Sequence, residues 1–259
     1  MTFILETRQL CKQFGGVHAL RPFDFKISPG EIRALIGPNG AGKTTFLNLL
    51  SGIYTPTDGD ILFKGQQITK IKPHVVTRLG VGRTFQTVKP FGKLSVLENV
   101  MLGYDCRAEK GIFHILIKSS SAKQEEEETK EKARKALGFV GMLDKQNMII
   151  TSLPYGQQRL VDLARALVHD PDLLLLDEPA AGMTRQEGSD LVACIRRIRD
   201  LGITVLLVEH NMRLVMDVSD RITVLDFGYL IAEGIPEEIR SNPKVIEAYL
   251  GKKTNDAIN

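Results

Sequence analysis

Two short stretches of this chain combine residue types and spacing suited to phosphate chemistry. Gly37-Pro38-Asn39-Gly40-Ala41-Gly42-Lys43-Thr44 fits the pattern Gly-x-x-x-x-Gly-Lys-Thr. Glycines there let successive backbone N–H groups turn inward around phosphate oxygens, and a following helix offers its positive end. Lys43 can reach the β- and γ-phosphates of a nucleoside triphosphate, and the Thr44 hydroxyl can ligate Mg²⁺. Thr45 completes the expected cofactor-binding set. A glycine turn that merely caps a helix is the plainer alternative, and the strand before it and helix after it argue against that. The second stretch is Asp177-Glu178-Pro179, directly behind the apolar run Leu173 to Leu176. An aspartate at the carboxyl end of a buried strand stands where α/β sheets bind ligands, and Asp177 can hold Mg²⁺ through water. Glu178 lies one residue beyond, placed to polarise an attacking water as general base. A carboxylate set for water points to ATP or GTP hydrolysis rather than to a kinase.

The elements that must position these groups are readable from pattern. Ile32 to Ile36 predicts a strand running into the glycine-rich turn; Phe46, Leu49 and Leu50 then recur at helical spacing, and Gly52 suits the helix end. Asp58-Gly59, ahead of Asp60 to Lys64 and Gly65, is a hairpin signal in a β-rich first quarter. From about Lys93 to Leu143 the texture is mainly helical, including Ser119 to Ser121 and the charged run Lys123 to Lys135. The four glutamates Glu125 to Glu128 predict a solvated helix face rather than a metal site, because neighbouring helical residues diverge and basic residues follow closely. In the last third, Leu173 to Leu176 and Ile203 to Val208 predict strands covered on both faces. Leu191, Ile195 and Ile198 mark a helical face between them, and a further helix is expected over Leu160 to Val168. Strands alternating with helices imply a parallel α/β sheet, with the helical middle as an insertion.

Composition excludes more than it assigns. The 259 residues carry 34 basic and 31 acidic side chains, a formal charge of +3, with 43% hydrophobic and 25% charged residues. That is a globular composition, and the charge is too weak to suggest a nucleic-acid partner. No apolar run reaches bilayer-spanning length, and no signal peptide is visible at Met1 to Arg8. Cys11, Cys106 and Cys194 share no metal-ligand spacing and predict free thiols in a reducing compartment. By these measures alone the expectation is a soluble cytosolic protein.

Further motifs carry a resemblance. Leu153-Pro154-Tyr155-Gly156-Gln157-Gln158-Arg159 lies between the two phosphate-chemistry stretches, Arg83-Thr84-Phe85-Gln86 before it and Val208-Glu209-His210-Asn211 after them. With Lys12-Gln13-Phe14-Gly15 near the start, the set resembles the ATP-binding subunits of ABC transporters over essentially the whole chain. A narrower likeness is to the ATPases of bacterial branched-chain amino acid importers. It rests on Tyr155 to Arg159, Asp177 to Gly182, Glu209 to Met212, Leu214 to Met216, Ser219 to Arg221, Asn242-Pro243 and Ala248 to Gly251. Asn242 also suits an N-cap, with Pro243 at the first helical position.

The resemblance implies an α/β P-loop NTPase of ABC type: a mostly parallel core, an N-terminal antiparallel β region and a helical insertion. It implies one domain over residues 1–259, with a helical subdomain at about 88–165 and a polar tail at 251–259. It implies ATP and Mg²⁺ as cofactors, Phe14 stacking on adenine, Gln86 and Asp177 organising Mg²⁺, and His210 sensing the γ-phosphate. Leu153, Tyr155, Gly156 and Gln157 are implied to close the site of a second ATP-binding subunit, identical or paralogous. The other implied partners are two transmembrane permease subunits and, indirectly, an extracytoplasmic solute-binding protein, with the chain peripheral on the cytoplasmic face of the inner membrane. Val88-Lys89-Pro90-Phe91, with Leu94, is implied to form the groove that grips a permease coupling helix. Two positions depart from the family pattern. Pro154 replaces the usual signature serine, removing a hydroxyl and an N–H; Thr184 stands where the family has Asp or Asn. The same motifs are shared by urea or amide importers, lipopolysaccharide-type exporters and soluble non-transport ATPases. Tyr155 and the long insertion with Gly111-Ile112-Phe113 favour the amino acid importers.

Overall fold

A computed structural model describes residues 3–86, 90–105 and 120–250. Val88, Lys89, Cys106, Gly111-Ile112-Phe113 and the tail from Gly251 lie outside them.

The N-terminal strands Leu5–Phe14 (β1) and Val17–Ile27 (β2) pair antiparallel. Phe23, Phe25 and Ile27 are buried while Asp24 and Lys26 are exposed, the period-two pattern of a sheet with one wet face. Asp58–Phe63 (β4) and Gln66–Gln67 (β5) complete a sheet in the order β2-β1-β4-β5. The reversal of the β4–β5 hairpin is Lys64-Gly65, at φ 50° and 79°. Asp58-Gly59 instead lies inside β4, at an irregularity opposite β1 where Gly59 crosses the backbone of Arg8 and Gln9 too closely for a Cβ.

Six strands form the central sheet: Ile32–Ile36 (β3), Val81–Arg83 (β6), Leu173–Asp177 (β7), Thr204–Val208 (β8), Arg221–Asp226 (β9) and Tyr229–Gly234 (β10). Their order is β10-β9-β3-β8-β7-β6, parallel throughout except for β10. Burial on both faces explains the apolar runs. Leu173 and Leu175 of β7 enter the cluster beneath β1 and β2, and Leu174 and Leu176 enter the cluster of the helical segment. Each fully buried leucine contributes roughly 1.5–3 kcal/mol, so the strand that carries Asp177 is firmly anchored.

Register then levels the chemistry. Leu35 pairs with Val208, and Val208 pairs with Asp177. The residues that follow these strands, Gly37, Glu178 and Glu209-His210, therefore emerge along one edge of the sheet.

Lys43–Leu50 (α1) follows the glycine turn, and Gly52 ends it at φ 72° as expected. Pro73–Arg78 (α2) is short. Val96–Asp105 (α3), Ser120–Phe139 (α4) and Tyr155–Leu167 (α5) share one apolar cluster with Leu174 and Leu176. The glutamates of α4 lie on its solvent side, where Lys130 pairs with Glu126 (2.6 Å) and Arg134 with Glu127 (3.3 Å). Helix α5 begins at Tyr155, earlier than the expected Leu160, because the Pro154 carbonyl accepts from Gln157 and Gln158 N–H and starts the first turn. Arg185–Asp200 (α6) buries Leu191, Ile195 and Ile198, and Met212–Val218 (α7) follows β8. Pro236–Ser241 (α8) and Pro243–Leu250 (α9) close the chain, with Asn242 Oδ1 accepting from Lys244 N–H (3.0 Å) as the expected cap. Cys11 and Cys194 are free thiols, and burial pushes that of Cys194 up to about 11.

Candidate functional site

The glycine-rich turn between β3 and α1 is held tightly from outside. Gly37 has φ 151°, and a Cβ there would strike the Leu225 carbonyl. Gly42, at φ 102°, presses on Ala19 and Leu20 of β2 in the same way. Gly42 is also the N-cap of α1, with no side chain bonding the first helical amides. Those amides are thus left to face an anion, which the helix N-terminus favours electrostatically. Pro38, Asn39, Gly40 and Ala41 span the turn, and Ala41 is tied down by Gly228 N–H donating to its carbonyl (3.1 Å). Lys43 is buried and curls over the loop, donating from Nζ to the Gly37 and Pro38 carbonyls at 2.7 and 2.9 Å. Burial lowers its pKa, while Glu178 and Asp177 pull it back up. Thr44 is exposed and Thr45 half-buried at the start of α1.

Across the edge, Asp177 is buried at the end of β7. Desolvation raises its pKa, Arg83 lowers it and Glu178 raises it further. Its Oδ2 lies 3.4 Å from Arg83 Nη2, and its Oδ1 is buried without a hydrogen-bond partner. An orphaned carboxylate oxygen at this depth fits a divalent cation. Among the described residues no cluster of three or more His, Cys, Asp or Glu could hold a metal. A cation at Asp177 would therefore draw other oxygens, such as the Thr44 hydroxyl, the Gln86 amide and phosphate, a donor set suited to Mg²⁺.

Glu178 departs from the strand at φ 47°, an uncommon conformation for a side chain of its size. Its N–H donates to the Val208 carbonyl at 2.8 Å, which holds the turn in place. Glu178 Oε2 accepts from Gln86 Nε2 at 3.0 Å and lies 3.7 Å from His210 Nδ1. Four separate segments thus converge: Lys43, Gln86, Asp177-Glu178 and His210. Phe14 stands at the tip of β1, 44% exposed, in an edge-to-face pair with Tyr54 (centroids 5.2 Å apart) and with Lys12 Nζ 4.8 Å above the ring. A partly exposed aromatic ring is suited to stack on a base.

Leu153, Tyr155, Gly156 and Gln157 sit elsewhere, at the start of α5. Leu153 and Gly156 are buried, and Gln157 accepts from Lys145 Nζ at 2.9 Å. Among the described residues no hydrogen bond or ion pair joins them to residues 37–45. Thr184, placed in doubt by its departure from pattern, caps α6: its Oγ1 accepts from Glu187 N–H (3.3 Å) and donates to Glu187 Oε2 (2.8 Å).

Residue type alone did not single out several supporting groups. Glu209 is buried and accepts from Ala180 N–H (2.8 Å), His210 N–H (3.1 Å) and Asn211 N–H (3.2 Å), binding the segment after Glu178 to the histidine. Arg83 anchors Asp177 and donates to Ser51 Oγ at 2.5 Å. Burial raises the pKa of the Tyr249 phenol and the backbone N–H of Gly37 lowers it, which sets α9 beside the start of the phosphate loop. An arginine or glutamate quoted inside a motif was the available signal for the first two.

The family profile described as "ABC transporter" matches residues 20–181, spanning the phosphate loop through the Asp177-Glu178 turn. The chain belongs to the ABC transporter family. A second profile, for the branched-chain amino acid ATP-binding cassette transporter, matches residues 230–253 of the cassette. The cassette is 41% identical over 250 residues to the high-affinity branched-chain amino acid transport ATP-binding protein LivG of Escherichia coli, covering 96% of this chain and 98% of that protein. It has the same identity and coverage with BraF, the corresponding protein of Pseudomonas aeruginosa. Among solved structures, the ADP conformation of an ABC transporter cassette superposes with TM-score 0.85 at 32% identity, covering 97% of this chain and all of that one. The α/β cassette fold expected from sequence is the observed one, and the domain is an ATPase domain that binds nucleotide. No helix among the described residues is long and apolar enough to cross a membrane.

Proposed function

We propose that the chain is the ATP-hydrolysing subunit of a membrane importer for branched-chain or related hydrophobic amino acids, acting as a dimer that closes over two ATP molecules. The observation that carries this reading is the separation of the two half-sites. Lys43, Gln86, Glu178 and His210 converge at one edge of the sheet, while among the described residues no hydrogen bond or ion pair joins Leu153 to Gln157 to the phosphate loop. A signature turn that serves no nucleotide of its own chain is suited to serve that of a partner, identical or paralogous.

In this reading Lys43 leaves the Gly37 and Pro38 carbonyls for the β- and γ-phosphates, joined by the amides of α1. Phe14 stacks on the adenine. Thr44, Gln86 and Asp177 would hold Mg²⁺, which neutralises charge on the phosphates when bound. Glu178 takes the proton of the attacking water, oriented by Gln86 and by His210, which also meets the γ-phosphate. The partner's Leu153, Tyr155, Gly156 and Gln157 close the site from the opposite side. Because Pro154 lacks an N–H and a hydroxyl, and the Gln157 N–H is spent on the Pro154 carbonyl, the phosphate contacts there fall to the Gly156 amide and the Gln157 side chain. Hydrolysis removes the bridging γ-phosphate and opens the dimer.

The chain is proposed to be one cassette over residues 1–259, with its helical subdomain at about 88–165, docked at the cytoplasmic face of the membrane on two permease subunits. Phe91 (54% exposed) and Leu94 support the docking face. Buried Asn99 fastens their loop by accepting from Phe91 N–H and donating to the Leu94 and Ser95 carbonyls. Exposed Met148 and Ile149 run alongside, with Ile149 bridged to Ser95. The deciding experiment uses Glu178→Gln, which should bind ATP and elute as a closed dimer by light scattering. A monomer at saturating ATP would remove the sandwich.

A further inference from the structure

Arg159 has no task in the reading above, yet it is 6% exposed. A guanidinium that deep must spend its donors on protein acceptors. Its Nη2 donates to the Gln86 carbonyl at 2.6 Å and to the Tyr155 hydroxyl at 2.9 Å, and the group lies 5.1 Å above the Tyr155 ring. Its Nε is buried without a partner, so these contacts carry its polar satisfaction.

Tyr155 is fixed on its other side. Gly182 has φ 76°, and a Cβ there would come within 3.2 Å of two Tyr155 ring carbons, so a side chain at 182 would displace the ring. Gly156 similarly backs onto the Glu187 carboxylate that forms the capping box of α6. The start of α5 is thus packed on the segment following Glu178, and through Arg159 it grips the backbone of Gln86. Gln86 in turn donates to Glu178.

We infer that Tyr155 and Arg159 are positioning residues that tie the signature turn to Gln86 of the same chain, so that engagement of the partner's ATP sets the placement of Gln86 and Glu178 at the chain's own ATP. The inference rests on the two-ATP sandwich proposed above. A γ-phosphate arriving at the start of α5 favours a shift of that helix toward the anion. Arg159 carries the shift to the Gln86 carbonyl, and the Gln86 side chain carries it to the carboxylate of Glu178. The link is a coupling free energy between two nucleotide sites, and it must appear as cooperativity.

Tyr155→Phe is the direct probe, because it keeps the ring against Gly182 and deletes only the hydroxyl. Arg159→Lys is the second, keeping the charge but not the two-pronged reach. The full chain would be assayed for ATPase activity against ATP concentration, and for binding of a fluorescent ATP analogue. Loss of one charge-assisted hydrogen bond predicts kcat lower by about threefold to tenfold. The Hill coefficient should fall from above one to about one, with KM and analogue affinity unchanged. Combined with Gln86→Ala, Tyr155→Phe should cause no further loss, since both cut one path. Wild-type kcat and Hill coefficient in Tyr155→Phe, or losses that multiply in the double variant, would overturn the inference. A monomeric Glu178→Gln protein with ATP would take down the sandwich and this inference together; a dimer with multiplying losses would take down this inference alone.

Discussion

The phosphate-loop edge and the signature turn are both helix starts built around glycine, yet they are supported in opposite ways. The first is wedged between β2 and the β9–β10 turn, and its lysine closes on its own carbonyls. The second rests on side chains: Tyr155 on Gly182, Arg159 on Gln86, Gln158 Nε2 on the Leu153 carbonyl. A site framed by backbone holds its shape without a ligand. One framed by rotatable side chains can pass on a displacement. That difference suits a division of labour between holding a nucleotide and reporting on one.

The comparison can be broken at the phosphate loop first. Lys43→Ala should lower ATP turnover by about 10²–10³-fold, and near-wild-type turnover would mean that backbone alone performs the binding. On the other side, Phe91→Glu should leave nucleotide binding intact and reduce transport in the reconstituted complex by at least roughly tenfold, since a charge would enter an apolar contact. Retained transport would detach the helical segment from docking.

Asp177 gives a smaller, signed effect. Burial holds its folded pKa above the ordinary 3.8, so the native state keeps the proton more tightly than the unfolded chain does. The stability from this group is fully present below the unfolded value and is lost as pH rises through the raised folded one. The gap in melting temperature between Asp177→Asn and wild type should therefore move in the variant's favour as pH rises from about 4 toward about 7, and the variant should lose the Mg²⁺ dependence of turnover. A gap that moves in the variant's favour on acidification would reverse the assignment. The smallest effect is at Thr184, whose removal as N-cap by Thr184→Ala should cost about 1 kcal/mol. Calorimetry would see it as a slightly lower melting temperature, with the fold kept.

Much of the core edge was legible in the sequence because its signals are local. An apolar run followed by Asp177-Glu178, or glycines at fixed spacing before Lys43, express backbone requirements within a few residues. The hairpin at Lys64-Gly65 and the early start of α5 were misplaced for the same reason. Asp58-Gly59 carries the right turn chemistry but is consumed by a strand irregularity opposite β1, and Pro154 starts a helix through its carbonyl despite lacking an N–H.

The residue sequence by itself determined which groups can handle phosphate, their order along the chain and the strands and helices that bear them, since propensity and spacing are properties of neighbours. Only the tertiary structure decided which groups meet. Parallel register brings Leu35, Asp177 and Val208 level, and burial forces Arg83, Arg159 and Glu209 to satisfy their charges on partners 94, 73 and 29 residues away. Buried charge must find a partner wherever the fold supplies one, and no local pattern records where that is.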